Sequence, residues 1–158
     1  MPLSNTSLKK QTFDLTIPRN FKAPREKVFQ AWTKSRHLIH WWGPKGFTMP
    51  SHKMDIHPGG MYRCDLKSPD GADHWVHGVF REMVEPAHLA FSHSWEEDGK
   101  STPETMVTIE LTDHDGETSM VFFQSGFESG SERDAHNDGW SQSFDRLEEY
   151  LADNKSEF

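Results

Sequence analysis

From Lys10 to Phe21 apolar and polar positions alternate, with Phe13, Leu15 and Ile17 on one side, and the period of two predicts a strand. The pattern then changes. Pro24 sits where the first turn of a helix tolerates proline, Glu26 complements the positive helix end, and Val28, Phe29 and Trp32 form one apolar stripe. A second short helix is expected from Ser35, a good capping residue, to Trp42, with Leu38 and Trp41 on one side. Six segments of strand character follow: 47–56, 60–67, 74–84, 88–95, 106–112 and 118–125. Turn-rich breaks such as Pro58-Gly59-Gly60, Ser68-Pro69-Asp70-Gly71 and Asp113-His114-Asp115-Gly116 separate them and are too short for crossover helices, so the pairing must be antiparallel. The last element, 132–151, places Trp140, Phe144, Leu147 and Leu151 at helical spacing.

One arrangement buries every apolar face with short connections: an α+β fold in which a curved antiparallel sheet of six to seven strands wraps around the final helix, with two short helices after the first strand. Residues 1–10 are polar and aperiodic and read as a disordered leader, 11–152 as a single domain, and 153–158 as a tail.

Composition narrows the partners. A length of 158 residues is the usual size of one domain. Hydrophobic residues make up 34% and aromatic residues 12%, so much of the interior volume must come from rings, which favours a wide, pocketed core. A formal charge of −8 with scattered lysines and arginines argues against nucleic acid. Cys64 has no second cysteine to pair with, and no stretch is long and apolar enough for a membrane span or a signal peptide. A cytoplasmic protein without membrane contact is expected.

Three stretches carry a resemblance: Phe21-Lys22-Ala23-Pro24-Arg25-Glu26-Lys27-Val28-Phe29-Gln30-Ala31-Trp32-Thr33, then Trp41-Trp42-Gly43-Pro44-Lys45-Gly46-Phe47, then Pro58-Gly59-Gly60-Met61-Tyr62-Arg63. In that order and spacing the chain, from about Phe13 to Leu151, resembles the START-like SRPBCC superfamily, in the branch named after activators of the heat-shock-protein-90 ATPase. The resemblance implies a helix-grip fold. It also implies a stand-alone member without the additional amino-terminal domain of the co-chaperones that gave the branch its name. A chaperone partner and a role in stress response would follow from that name.

Six tryptophans, Trp32, Trp41, Trp42, Trp75, Trp95 and Trp140, lie on elements that converge between sheet and final helix in such a fold. With Tyr62, Phe91, Phe122 and Gln124, and with His77 and His93 as polar groups, they form the candidate ligand site. The same rings serve a closed core equally well. The sharper expectation is that Trp41 or Trp42, Tyr62 and Trp140 line one cavity.

Ten histidines invite a metal reading, but His37 and His40 lack a third ligand in a partnering motif, and His74 and His77, three apart on a strand, point to opposite faces. No metal or cofactor is expected. Nor is a catalytic residue, since no Gly-x-Ser-x-Gly, Cys/His or P-loop pattern is present, and the strand carboxylates Asp65, Glu82 and Glu110 suit an exposed face. The expected function is non-catalytic binding of a small hydrophobic or aromatic molecule. The alternatives are a cyclase-, aromatase- or hydrolase-type enzyme using the same pocket, and a chaperone-associated interaction module. A homodimer is compatible with each.

Overall fold

The computed structural model describes residues 12–155, so the expected leader and the end of the tail lie outside the described residues. The elements run β1 (Phe13–Phe21), α1 (Arg25–Thr33), α2 (Ser35–Leu38), β2 (Thr48–Met54), β3 (Met61–Lys67), β4 (Asp73–Val84), β5 (His88–Glu97), β6 (Lys100–Ser101), β7 (Thr105–His114), β8 (Glu117–Phe127) and α3 (Gly130–Asp153). All strand pairs are antiparallel, in the order β1-β8-β7-β5-β4-β3-β2, with the two-residue β6 paired to β5. β6 is too short to leave a periodic signal. No helix is long and apolar enough to cross a membrane among the described residues.

β1 and β2 are neighbours in the chain but opposite edges of the sheet. The segment between them, α1, α2 and the Trp41–Phe47 turn, therefore has to cross the concave face, and that is how two short helices reach the space beside α3. Pro24 is the N-cap of α1 rather than its first residue, and its extended ψ of 148° starts the helix at Arg25. The second helix is much shorter than its pattern implies. Lys34 both ends α1 and caps α2, so Ser35 is a helical residue and not the expected cap. Beyond Leu38 the chain tightens, with the Trp41 and Trp42 amides both donating to the Leu38 carbonyl, and then leaves the helix at Gly43, whose φ of +117° suits glycine alone.

α3 starts at Gly130, two residues before the expected start at 132. The Ser129 hydroxyl accepts from the Glu132 amide at 3.1 Å, and the Glu132 carboxylate accepts in turn from the Glu128 amide at 3.1 Å, a reciprocal cap. Its buried side chains are Trp140, Ser143, Phe144, Leu147 and Leu151, one stripe at 3.6-residue spacing. Phe144 is fully enclosed, its ring 5.3 Å from Phe122, 6.0 Å from Trp32 and 6.4 Å from Trp41.

Polar groups on α3 hold the Trp41–Phe47 turn. The Ser143 hydroxyl accepts from the Gly43 amide at 3.1 Å and donates to the Gly139 carbonyl at 3.1 Å. Arg146 donates to the carbonyls of Gly43 (2.8 Å), Pro44 (3.1 Å) and His40 (3.1 Å), and Gln142 accepts from the Lys45 amide at 3.1 Å. Asp145 adds ion pairs to Arg19 and, at 3.4 Å, to Lys45. The bonds from Ser143, Arg146 and Gln142 satisfy backbone that a turn crossing a buried face would otherwise leave without partners.

Two stability measurements follow. Phe144→Ala should cost about 3–5 kcal/mol in urea denaturation, because the ring leaves a cavity that its aromatic neighbours cannot close. Ser143→Ala should cost about 1–3 kcal/mol, because the buried Gly43 amide loses its acceptor. A change below about 0.5 kcal/mol for Ser143→Ala would show that the turn is not held through α3.

Candidate functional site

Packed rings fill most of the space between sheet and α3. Trp32 meets Trp41 edge-on at 4.7 Å, Phe122 lies 4.7 Å from Trp140, and Trp42 touches Tyr62 at 5.5 Å and Phe91 at 6.1 Å. Tyr62 is fixed by a close fit: its ring lies against Gly78, directly across from it in the sheet, and its hydroxyl donates to the Ser92 carbonyl at 2.7 Å. A Cβ at position 78 would stand 2.7 Å from the Tyr62 ring and 1.9 Å from the Ser92 carbonyl oxygen, so only glycine fits there.

The packing stops at the amino-terminal half of α3, where a cavity of about 710 Å³ opens. Its wall on α3 is Ala135, His136, Gly139, Trp140 and Ser143, and the Trp42–Pro44 turn closes one side. His93 and Trp95 reach it from β5, Thr105 from β7 and Phe127 from the end of β8. Trp42 and Trp140 lie nearly parallel, 6.0 Å apart with 26° between their planes, where the packed core meets the cavity. The rim is exposed and acidic, with Asp73, Glu97, Asp98 and Glu132 on it.

A directional hydrogen-bond chain orients the Trp140 wall. An indole N–H can only donate, so at 2.9 Å it must face the Gln124 carbonyl oxygen; the Gln124 amide nitrogen then donates to Thr105 Oγ1 at 2.9 Å, and Thr105 donates to the His93 carbonyl at 2.9 Å. Gln124 is fully buried, and its carbonyl oxygen and amide nitrogen each have a partner in this series of bonds. The same reasoning fixes His136. Trp95 Nε1 donates to His136 Nε2 at 2.9 Å, so the proton sits on Nδ1 and is donated to the Glu132 carbonyl at 2.8 Å. His136 thus joins β5 to α3 across the cavity.

His93 differs. It is 2% exposed, with its ring 5.4 Å from Trp95, 5.9 Å from Trp140 and 6.0 Å from His136, and neither ring nitrogen has a hydrogen-bond partner among the described residues. Burial, reinforced by the neighbouring His136 and His77, pushes its pKa down to about 3, so at neutral pH it presents a neutral imidazole to the cavity. Cys64 lies deep in the sheet, and burial raises its thiol to about 12, which removes it as a nucleophile.

Of the residues singled out from the sequence, Trp42, His93, Trp95 and Trp140 line the cavity, and Gln124 stands behind its wall. Trp32, Trp41, Tyr62, Phe91 and Phe122 belong to the packed core beneath it. Trp75 and His77 lie elsewhere. Val76, Gly78 and Phe80 point inward, so their alternates face outward. There the Arg63 guanidinium covers the Trp75 ring at 3.9 Å and grips Glu96 through two 2.8 Å bonds, while His77 approaches Glu96 at 3.0 Å. Glu96 accordingly titrates below the usual carboxylate range. His37 and His40 both pack on Tyr150, the first at 2.6 Å from its hydroxyl. The sequence reading missed His136, Phe127 and Thr105. It also missed the small residues Ala135, Gly139 and Ser143, whose spacing beside Trp140 was the available signal: a stripe of small side chains on an apolar helix face leaves room.

Comparison with known proteins gives the same fold. No protein of curated function matches the chain. Crystal structures from three bacteria are similar to it. The AHSA1 protein of Silicibacter pomeroyi shares 22% identity at a TM-score of 0.81, over 89% of this chain and 98% of its own. A Nitrosomonas europaea protein shares 22% at 0.77, over 90% and 96%. A Mycobacterium smegmatis protein shares 24% at 0.75, over 90% and 93%. At such identities the likeness is one of fold. The family model described as Activator of Hsp90 ATPase homolog 1-like protein matches residues 22–152, nearly all of the sheet and α3, and the chain belongs to that family.

Proposed function

We propose that the protein binds a small hydrophobic or aromatic molecule in the cavity beside α3 and does not transform it. The observation that carries this reading is the cavity itself: about 710 Å³, walled by Trp42, Trp95 and Trp140, with one buried imidazole whose ring makes no hydrogen bond among the described residues. A volume of several hundred cubic ångströms suits a drug-sized molecule, and apolar walls with few polar groups are the usual make-up of such sites. Ring faces supply contact area at little entropic cost because the packed core and the Gln124 chain already fix them. His93 supplies orientation, as one N–H donor and one acceptor. Its nitrogens meet no hydroxyl, thiol or carboxylate among the described residues, so nothing pairs it with a nucleophile as turnover by acyl transfer would require.

The test uses N-phenyl-1-naphthylamine, a neutral probe whose emission rises in apolar surroundings. Saturable uptake of one molecule per chain is expected. Ala135→Phe, an exposed helical position on the cavity wall, should abolish it by filling the space while costing the fold only about 0.5 kcal/mol of helix propensity. Absence of uptake by the wild type, or equal uptake by the filled variant, would overturn the proposal.

A further inference from the structure

The cavity's charge is more one-sided than the chain's. The sequence holds 17 lysines and arginines against 25 acidic residues, yet among the described residues the cavity is lined by six carboxylates and by no lysine or arginine. Two of the six are already balanced: Asp73 pairs with Lys67 at 3.3 Å, and Glu96 turns outward to Arg63. Glu97 and Asp98, at the β5–β6 turn, and Glu132, in the first turn of α3, make no ion pair among the described residues. The positive end of α3 would by itself favour an anion. Its first turn is already occupied by the Ser129 hydroxyl and the Glu132 carboxylate, which leave negative charge facing the rim.

An acidic rim above aromatic walls selects by charge. Low-dielectric walls focus the field of the rim into the opening, and the faces of Trp42, Trp95 and Trp140 attract a cation. An anion meets repulsion at the rim and finds no lysine or arginine among the described residues that line the cavity. His93, buried and without a ring hydrogen bond among the described residues, faces the cavity beneath that rim and offers an acceptor nitrogen to a donor that carries positive charge. Its depressed basicity keeps that lone pair available at neutral pH.

We propose that the molecule taken up here is a hydrophobic or aromatic amine, bound as its ammonium ion, with its rings on Trp42, Trp95 and Trp140 and its cationic group between His93 and the rim formed by Glu97, Asp98 and Glu132. This rests on the ligand-binding reading above and adds to it the class of ligand.

Three probes of one skeleton separate the two claims: 2-(2-naphthyl)ethylamine, 2-(2-naphthyl)ethanol and 2-naphthylacetate, titrated by calorimetry at low salt. The amine should bind about tenfold more tightly than the alcohol and the acid more weakly than either, with the amine's advantage shrinking as salt rises to about 0.5 M. The triple variant Glu97→Gln, Asp98→Asn, Glu132→Gln should lower the amine to the affinity of the alcohol and leave the alcohol unchanged. Its uptake of N-phenyl-1-naphthylamine verifies the fold. Equal binding of amine and alcohol, tighter binding of the acid, or an amine affinity that the triple variant does not move would overturn the charge selection and leave the ligand site standing. Failure of all three probes and of the neutral dye would overturn both.

Discussion

The grip of α3 on the Trp41–Phe47 turn is the constraint on which the rest of the structure depends. Three backbone carbonyls converge on the Arg146 guanidinium, the Gly43 amide is held by the Ser143 hydroxyl, and Gln142 takes the Lys45 amide. A turn that must cross from one sheet edge to the other carries polar backbone over a buried surface, and these bonds are what make the crossing tolerable. They also set one distance that matters for the site. With the turn fixed to α3, Trp42 lies parallel to Trp140 and leans on Tyr62 and Phe91, so the packed core ends in a flat aromatic wall.

Beyond that wall the helix carries Ala135, Gly139 and Ser143 where further large side chains would complete the core. Close packing elsewhere in the interior makes this gap meaningful, since interiors keep few voids larger than a water molecule. The polar groups around it divide into two kinds. Gln124, Thr105 and His136 are spent on holding Trp140 and Trp95 in place, each with donor and acceptor roles settled by the indole N–H it receives directly or through a neighbour. The His93 ring makes no hydrogen bond among the described residues. His93 lines the cavity, where a donor or acceptor on a ligand can meet its ring nitrogens.

Much of the fold was legible because periodicity and turn chemistry agree. Alternation in Phe13, Leu15 and Ile17, the Gly-rich breaks, and the stripe Trp140, Phe144, Leu147 and Leu151 each reflect one face buried against another. Element ends were less legible. Lys34 rather than Ser35 caps α2, since the chain leaves α1 one residue earlier, and Ser129 starts α3 ahead of its apolar stripe. The site was legible as a set of rings but not as a shape. Ring content cannot distinguish Trp42 and Trp140, which face the cavity, from Trp32 and Trp41, which face each other. Strand parity put Trp75 and His77 outside, where Arg63 and Glu96 hold them, and that parity is set by Gly78 fitting under Tyr62, a contact between strands that composition does not reveal. The acidic rim joins residues from β4, the β5–β6 turn and α3 that only the fold brings together.

The six indole N–H groups provide a direct map of the central claim, that a small molecule occupies the space between the Trp42–Trp140 wall and Trp95. Two-dimensional proton–nitrogen NMR of the protein, titrated with an aromatic amine and with each indole signal assigned by single Trp→Phe variants, reads all six at once. Saturable shifts are expected at Trp42, Trp95 and Trp140, small ones at Trp32 and Trp41 in the packed core, and none at Trp75 on the outer face. Unchanged signals at Trp42, Trp95 and Trp140, or shifts centred on Trp75, would contradict it.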